Sequence, residues 1–154
     1  MVLFLTALFV IIADQLTKLW IRSYMEGQVI FQAGPFRILY VTNTGAAFGL
    51  FQDKSFFLTL VAFAGIILIL LLAFFSRRSS FLNAAADRFA LGLILGGATG
   101  NLIDRLRIGH VTDFISIGIW PTFNIADSAV TVGVILLACL FLFSNKPKEG
   151  QSAS

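Results

Sequence analysis

Long apolar runs separated by short polar stretches dominate the chain, and their lengths suit membrane helices. A helix that crosses a bilayer needs about 20 mostly apolar residues. Four segments qualify: Val2–Arg22, Phe56–Phe75, Phe89–Leu106 and Ala126–Phe143. The second carries no charge at all. The third is diluted by Gly92, Gly96, Gly97 and Gly100, which with Ala98 make a small-residue face suited to close helix approach in lipid. Between the first two segments the pattern changes. Gln28–Gln32 and Phe36–Thr42 are rich in Val, Ile, Phe and Tyr and flank Ala33-Gly34-Pro35, which predicts a β-hairpin. Asn43-Thr44-Gly45-Ala46-Ala47-Phe48-Gly49 follows as an aromatic and glycine-rich loop, and Phe48, Phe51, Phe56 and Phe57 suit the membrane interface. The connection Arg107–Ile125 is read as a loop that returns into the fourth helix.

Composition agrees with a membrane bundle. The 154 residues are 58% hydrophobic and 12% charged, with mean hydropathy +0.91. A soluble domain of this size could not bury so much apolar surface. The expectation is one domain over residues 1–145 and a polar tail over 146–154. The net charge of +3 is spread along the chain with no basic stripe, which argues against nucleic acid as a partner. Cys139 is the only cysteine, so no intramolecular disulfide can form. No basic segment precedes Val2–Ala13, and the apolar run continues to Ile21, so the first helix is expected to be retained. Arg77, Arg78 and Arg88 in one connection, with Lys146 and Lys148 in the tail, put both termini on the cytoplasmic side. Arg37, Lys54 and Arg107 on the other side weaken that bias without reversing it.

On this topology the embedded polar residues gather at one end. Asp14 and Lys18 lie in the second half of the first helix, Asn101, Asp104 and Arg105 near the end of the third, and Asp127, Ser128 and Thr131 near the start of the fourth. All three places face the outer side, and ionisable groups at membrane depth point to function. Asp14 and Lys18, four apart, can neutralise each other along one helix face. Arg105 has a carboxylate, a backbone carbonyl or a lipid headgroup as its candidate partners. Asn43 and Asn101 suit loop or interhelical hydrogen bonds. Asn124 is placed to cap the fourth helix, a role Asp127 can share.

Several chemistries lack their residues. His110 is the only histidine, no GxSxG elbow accompanies it, and no HExxH motif exists, so neither a serine triad nor a zinc site is expected. Gly96-Gly97-Ala98-Thr99-Gly100 lacks the lysine of a phosphate-binding loop. Neither a metal nor another cofactor is expected. Carboxylates remain. Asp113 and Asp127 flank the entry to the last apolar run, and two such groups near one water can share a proton and act as acid and base.

The motifs resemble those of the lipoprotein signal peptidases (signal peptidase II). Asp14-Gln15-Leu16-Thr17-Lys18 is similar to the family's first motif and Asn43–Gly49 to its second. Gly96–Arg105 together with Gly109-His110-Val111-Thr112-Asp113-Phe114 resembles the third, and Phe123-Asn124-Ile125-Ala126-Asp127-Ser128 the fourth. The resemblance implies four membrane helices with a small extracytoplasmic β element. It implies an aspartic endopeptidase of the bacterial cytoplasmic membrane that cuts before the lipidated cysteine of diacylglyceryl-modified prolipoproteins. Asp113 and Asp127 would be the catalytic pair, and Asp14, Lys18, Asn43, Gly45, Asn101, Arg105 and Asn124 would support the site or bind substrate. The expected partners are that substrate and membrane lipid, with the enzyme acting as a monomer. A proton-coupled carrier would instead show polar residues through both leaflets or an inverted repeat. A helix-assembly scaffold would need no aspartate pair.

Overall fold

The computed structural model describes residues 1–45, 55–75 and 84–144. Four helices and three strands follow in the order α1 (Val2–Ile21), β1 (Val29–Ala33), β2 (Phe36–Asn43), α2 (Ser55–Phe75), α3 (Ala85–Ile108), β3 (Val111–Ile117) and α4 (Ile125–Ser144). The expected helices and the hairpin are present within a few residues of their predicted bounds. The expectations for Ala46–Gly49, Phe51, Lys54, Arg77, Arg78 and the tail 146–154 lie outside the described residues.

Helix α3 is the axis of the bundle and packs against α1, α2 and α4. Its glycines make this possible. A side chain at Gly92 would meet the Leu3 carbonyl at 2.6 Å, one at Gly96 the Ala7 carbonyl at 2.8 Å, and one at Gly100 the Asp14 carboxylate at 2.7 Å. These three, spaced by four, form the stripe that receives α1. Gly97, on a neighbouring face, receives α4, where a side chain would run into the Ala126 carbonyl. The α1 side of the seam is equally regular: Leu3, Ala7, Val10, Asp14, Lys18 and Ile21 are its buried residues. The seam is therefore apolar at one end and charged at the other.

Among the described residues, α1, α2 and α4 are long and apolar enough to cross a membrane. Helix α2 buries only Ala73, as suits a helix that faces hydrocarbon nearly all round. Helix α3 falls short on apolarity because much of its surface faces other helices, where small residues replace lipid-facing Leu and Ile.

The β element is larger than expected. The connection read as a loop between Arg107 and Ile125 contains β3, and the sheet order is β1-β2-β3, antiparallel throughout. Asp113 is thus a strand residue paired with Val41, not a loop carboxylate. Val111-Thr112-Asp113-Phe114-Ile115-Ser116-Ile117 does not alternate apolar and polar positions because it is buried on both faces, with only its last residue exposed. Gly109, at φ +80°, ends α3 in the left-handed conformation and turns the chain into this strand.

Replacing Gly97 with Val should force α3 and α4 apart and cost about 1–3 kcal/mol. Thermal unfolding in detergent should show a lowered midpoint for Gly97→Val. Gly65→Ala should show no loss, because nothing lies within 4 Å of the added carbon. Equal midpoints for both variants would contradict the packing described.

Candidate active site

The charged end of the α1–α3 seam is a closed set of ion pairs. The Lys18 ammonium is fully buried and has three partners for its three N–H groups: Asp14 at 2.8 Å, Asn101 Oδ1 at 2.8 Å and Asp104 at 3.3 Å. Arg22, one turn further along α1, meets Asp104 at 2.6 Å. Gln15 donates to Asp14, Asp104 and the Gly100 carbonyl. Two carboxylates and two cations balance. A buried charge is tolerable only when paired and hydrogen-bonded in this way.

This set reaches Asp127 through asparagine. Asn101 accepts from Lys18 through Oδ1 and donates through Nδ2 to Asp127 Oδ1 at 2.7 Å. The other Asp127 oxygen accepts the backbone N–H of Asn124 at 3.2 Å, and Asn124 Oδ1 accepts the Asp127 N–H at 2.9 Å. That reciprocal pair is a capping box at the start of α4. The Ala126 N–H, another free donor of the first turn, goes to Asp14 Oδ1 at 3.0 Å. The helix start is therefore held by site residues.

Asp113 is reached from the other side. Its Oδ1 accepts Asn124 Nδ2 at 2.7 Å and its Oδ2 accepts Asn43 Nδ2 at 2.7 Å. Asn124 thus contacts both aspartates, and every oxygen of the pair accepts one amide. The chain returns to α4 through a bridge between Ile115 and Phe123 beyond β3. Asp113 and Asp127 line one cavity of about 650 Å³ with Asn43, Gly45, Asn101 and Arg105. Ala62 of α2, Ala98 of α3, and Val130 and Val132 of α4 supply apolar wall. Arg105 lies 3.4 Å from the Gly45 carbonyl, which makes a backbone carbonyl its partner among the three considered. Its neighbour Asp104 is paired instead with Lys18 and Arg22.

Of the residues expected at the site, six line this cavity, whereas Lys18 and Asn124 bond to lining residues and Asp14 is joined to them through Lys18. Gln15, Arg22 and Thr112 had not been singled out. Arg22 continues the Asp14–Lys18 spacing by one more helical turn, a signal the sequence does carry. The partnership of Thr112 depends on β3, which sequence patterning did not reveal. Among the described residues no group of three or more His, Cys, Asp or Glu side chains is arranged to hold a metal.

Burial, followed by the nearby charge of Asp127, pushes Asp113 up to about 7, against the hydrogen bonds from Asn43 and Asn124. Between the ordinary carboxylate range and pH 7, the folded protein then holds a proton that the unfolded chain releases. Folding stability should fall as pH rises through this window, because the folded state binds more protons there. Unfolding midpoints of wild type and Asp113→Asn, followed from pH 5 to pH 8, should show a steeper decline for wild type. Parallel curves would mean that Asp113 titrates normally.

Residues 6–143 match the family model described as signal peptidase (SPase) II. The chain is 47% identical over 136 residues to a lipoprotein signal peptidase of Dehalococcoides mccartyi, covering 88% of this chain and 85% of that one. It is 42% identical over 160 residues to a lipoprotein signal peptidase of Bacillus velezensis, covering 98% and 100%. A bacterial membrane enzyme solved by the in meso method at 2.3 Å superposes with a TM-score of 0.83 at 34% identity, over 99% of this chain and 94% of that one. With its family model matched over most of its length, the chain belongs to the signal peptidase II family.

Proposed function

We propose that Asp113 and Asp127 are the catalytic pair of a peptidase that cuts diacylglyceryl-modified prolipoproteins immediately before the lipidated cysteine. Family membership makes the chain an aspartic protease that removes signal peptides from prolipoproteins. One observation carries the residue assignment: both carboxylates line a single cavity, and each of their four oxygens is oriented by an amide donor. Two anions this close favour holding one proton between them. With Arg105 beside them and the Lys18 set already balanced, one shared proton also leaves the whole site neutral.

The negative charge sits better on Asp127, which lies at the positive end of the α4 dipole and accepts the backbone N–H of the cap residue Asn124. Asp127 takes a proton from water, and the water oxygen bonds to the scissile carbonyl carbon. Asp113 gives its proton to the carbonyl oxygen. Return of a proton to the amide nitrogen lets the C–N bond break. The products are a signal peptide with a new carboxyl terminus and a lipoprotein whose cysteine has a free amino group. The amides hold both carboxylates in place before substrate arrives, so little reorganisation accompanies the reaction.

The membrane arrangement follows from the same reading. Helix α3 is the fourth span, both termini are cytoplasmic, and the cavity opens near the extracytoplasmic surface of the bacterial cytoplasmic membrane. The residues over 1–145 form one peptidase domain that works as a monomer in contact with lipid. A signal peptide in helical form offers no free backbone groups inside lipid. It must unwind to be cut, and a polar cavity at the end of the bundle receives the exposed backbone. The apolar wall of Ala62, Ala98, Val130 and Val132 suits the acyl chains. Lipid anchoring then holds the scissile bond beside the pair.

Purified wild type should cleave a diacylglyceryl-modified prolipoprotein before its cysteine and leave an unlipidated precursor essentially uncut. Asp113→Asn and Asp127→Asn should each lose on the order of 100-fold or more of this activity while folded. Near-normal turnover by either variant would exclude the two-aspartate mechanism. Efficient cleavage of the unlipidated precursor would exclude lipid anchoring.

A further inference from the structure

We infer that Asp104 and Arg22 are positioning residues for Asp113, acting together as a clamp on its neighbour Thr112. Asp104 accepts the Thr112 backbone N–H at 3.0 Å, and Arg22 Nε donates to the Thr112 hydroxyl at 2.8 Å. Asp104 and Arg22 are themselves paired at 2.6 Å. The backbone and the side chain of one residue are thus gripped by two charged groups that hold each other. Thr112 is fully buried and Asp104 nearly so. The Thr112 carbonyl, in the next peptide, which leads into Asp113, accepts Asn124 Nδ2 at 3.3 Å, the amide that also holds Asp113.

The sheet alone does not fix Asp113. Pairing between β2 and β3 is irregular between Ile38 and Val41, and Val41 is the partner of Asp113. An extra residue on β2 therefore sits beside the aspartate, where the ladder is interrupted. Successive strand residues point to opposite faces, so a slip of one position would turn Asp113 away from the cavity. The clamp supplies the missing constraint. With the Thr112 side chain drawn toward α1 and α3, the Asp113 side chain must face Asn43, Asn124 and the cavity.

Asp104 and Arg22 do not line the cavity in which Asp113 and Asp127 meet. They act through Thr112 and are not catalytic residues. The clamp also joins the ends of α1 and α3 to β3, so the aspartate of the sheet and the aspartate of α4 are referenced to the same pair of helices. It is a separate connection from the Lys18–Asn101 route to Asp127, although Asp104 also meets Lys18.

The inference rests on the proposed role of Asp113, and its test separates the two. Thr112→Val removes the hydroxyl at nearly constant volume and leaves every charge in place. Cleavage of the diacylglyceryl-modified prolipoprotein by Thr112→Val should show kcat lowered on the order of 10- to 100-fold with KM nearly unchanged, as expected when a reacting group is misplaced by a fraction of an ångström to an ångström. Thr112→Ser keeps the hydroxyl and should recover most of that loss. Wild-type kcat in Thr112→Val would overturn the clamp while leaving the aspartate mechanism intact. So would a loss that follows the melting temperature and is not recovered by Thr112→Ser, since that would mark a merely structural role. Failure of wild type to cleave the substrate would instead overturn the functional reading.

Discussion

A single buried ammonium group ties the fold to the site. Lys18 has no solvent contact, and its three N–H groups go to Asp14, Asn101 and Asp104. Removing such a charge from one side of a buried network leaves the other side uncompensated, at a cost of about 3–5 kcal/mol. The glycine stripe of α3 is what lets the network close. Gly100 leaves room for the Asp14 carboxylate, and Gly92 and Gly96 bring the rest of α1 to the same distance. Close helix contact and ion pairing are therefore one feature seen at two heights along the same seam.

The second economy lies at the start of α4. The first-turn N–H groups of a helix need partners, and here Asp14 and Asn124 provide them while Asp127 answers back to Asn124. A capping interaction and a catalytic carboxylate were alternatives for Asp127 when read from sequence. In the folded chain the cap orients the carboxylate, and in the proposed mechanism the helix start also favours its charge. Asn124 performs the same double duty, because its side chain reaches Asp113 as well. Polar groups this interconnected are costly to leave half-satisfied, which explains why the site is crowded with asparagine, a residue that can both donate and accept.

Much of this was legible in the sequence. Helix lengths followed from apolar runs, and the shared end of Asp14, Lys18, Asn101, Asp104 and Asp127 followed from alternating helix direction. The hairpin was visible because half-exposed strands keep Val, Ile, Phe and Tyr around a Gly-Pro turn. The third strand was not, because β3 is buried on both faces and carries Thr112, Asp113 and Ser116 among apolar neighbours. Those polar residues have partners from other elements, and no local pattern encodes a partner more than eighty positions away, as Arg22 is from Thr112. Helix α3 looked weak for a similar reason. Its glycines lower hydropathy, yet they are the residues that make it the centre of the bundle.

The most direct test of this account is the thermal stability and turnover of Lys18→Met, measured on the same preparation, together with the double variant Lys18→Met/Asp14→Asn. The account predicts that the single variant loses both stability and turnover. In the double variant charge balance returns and stability largely recovers, whereas turnover stays low because Asn101 no longer has the ammonium that orients it toward Asp127. A Lys18→Met protein with the melting temperature and turnover of wild type would contradict the claim that one buried cation holds both the fold and the site.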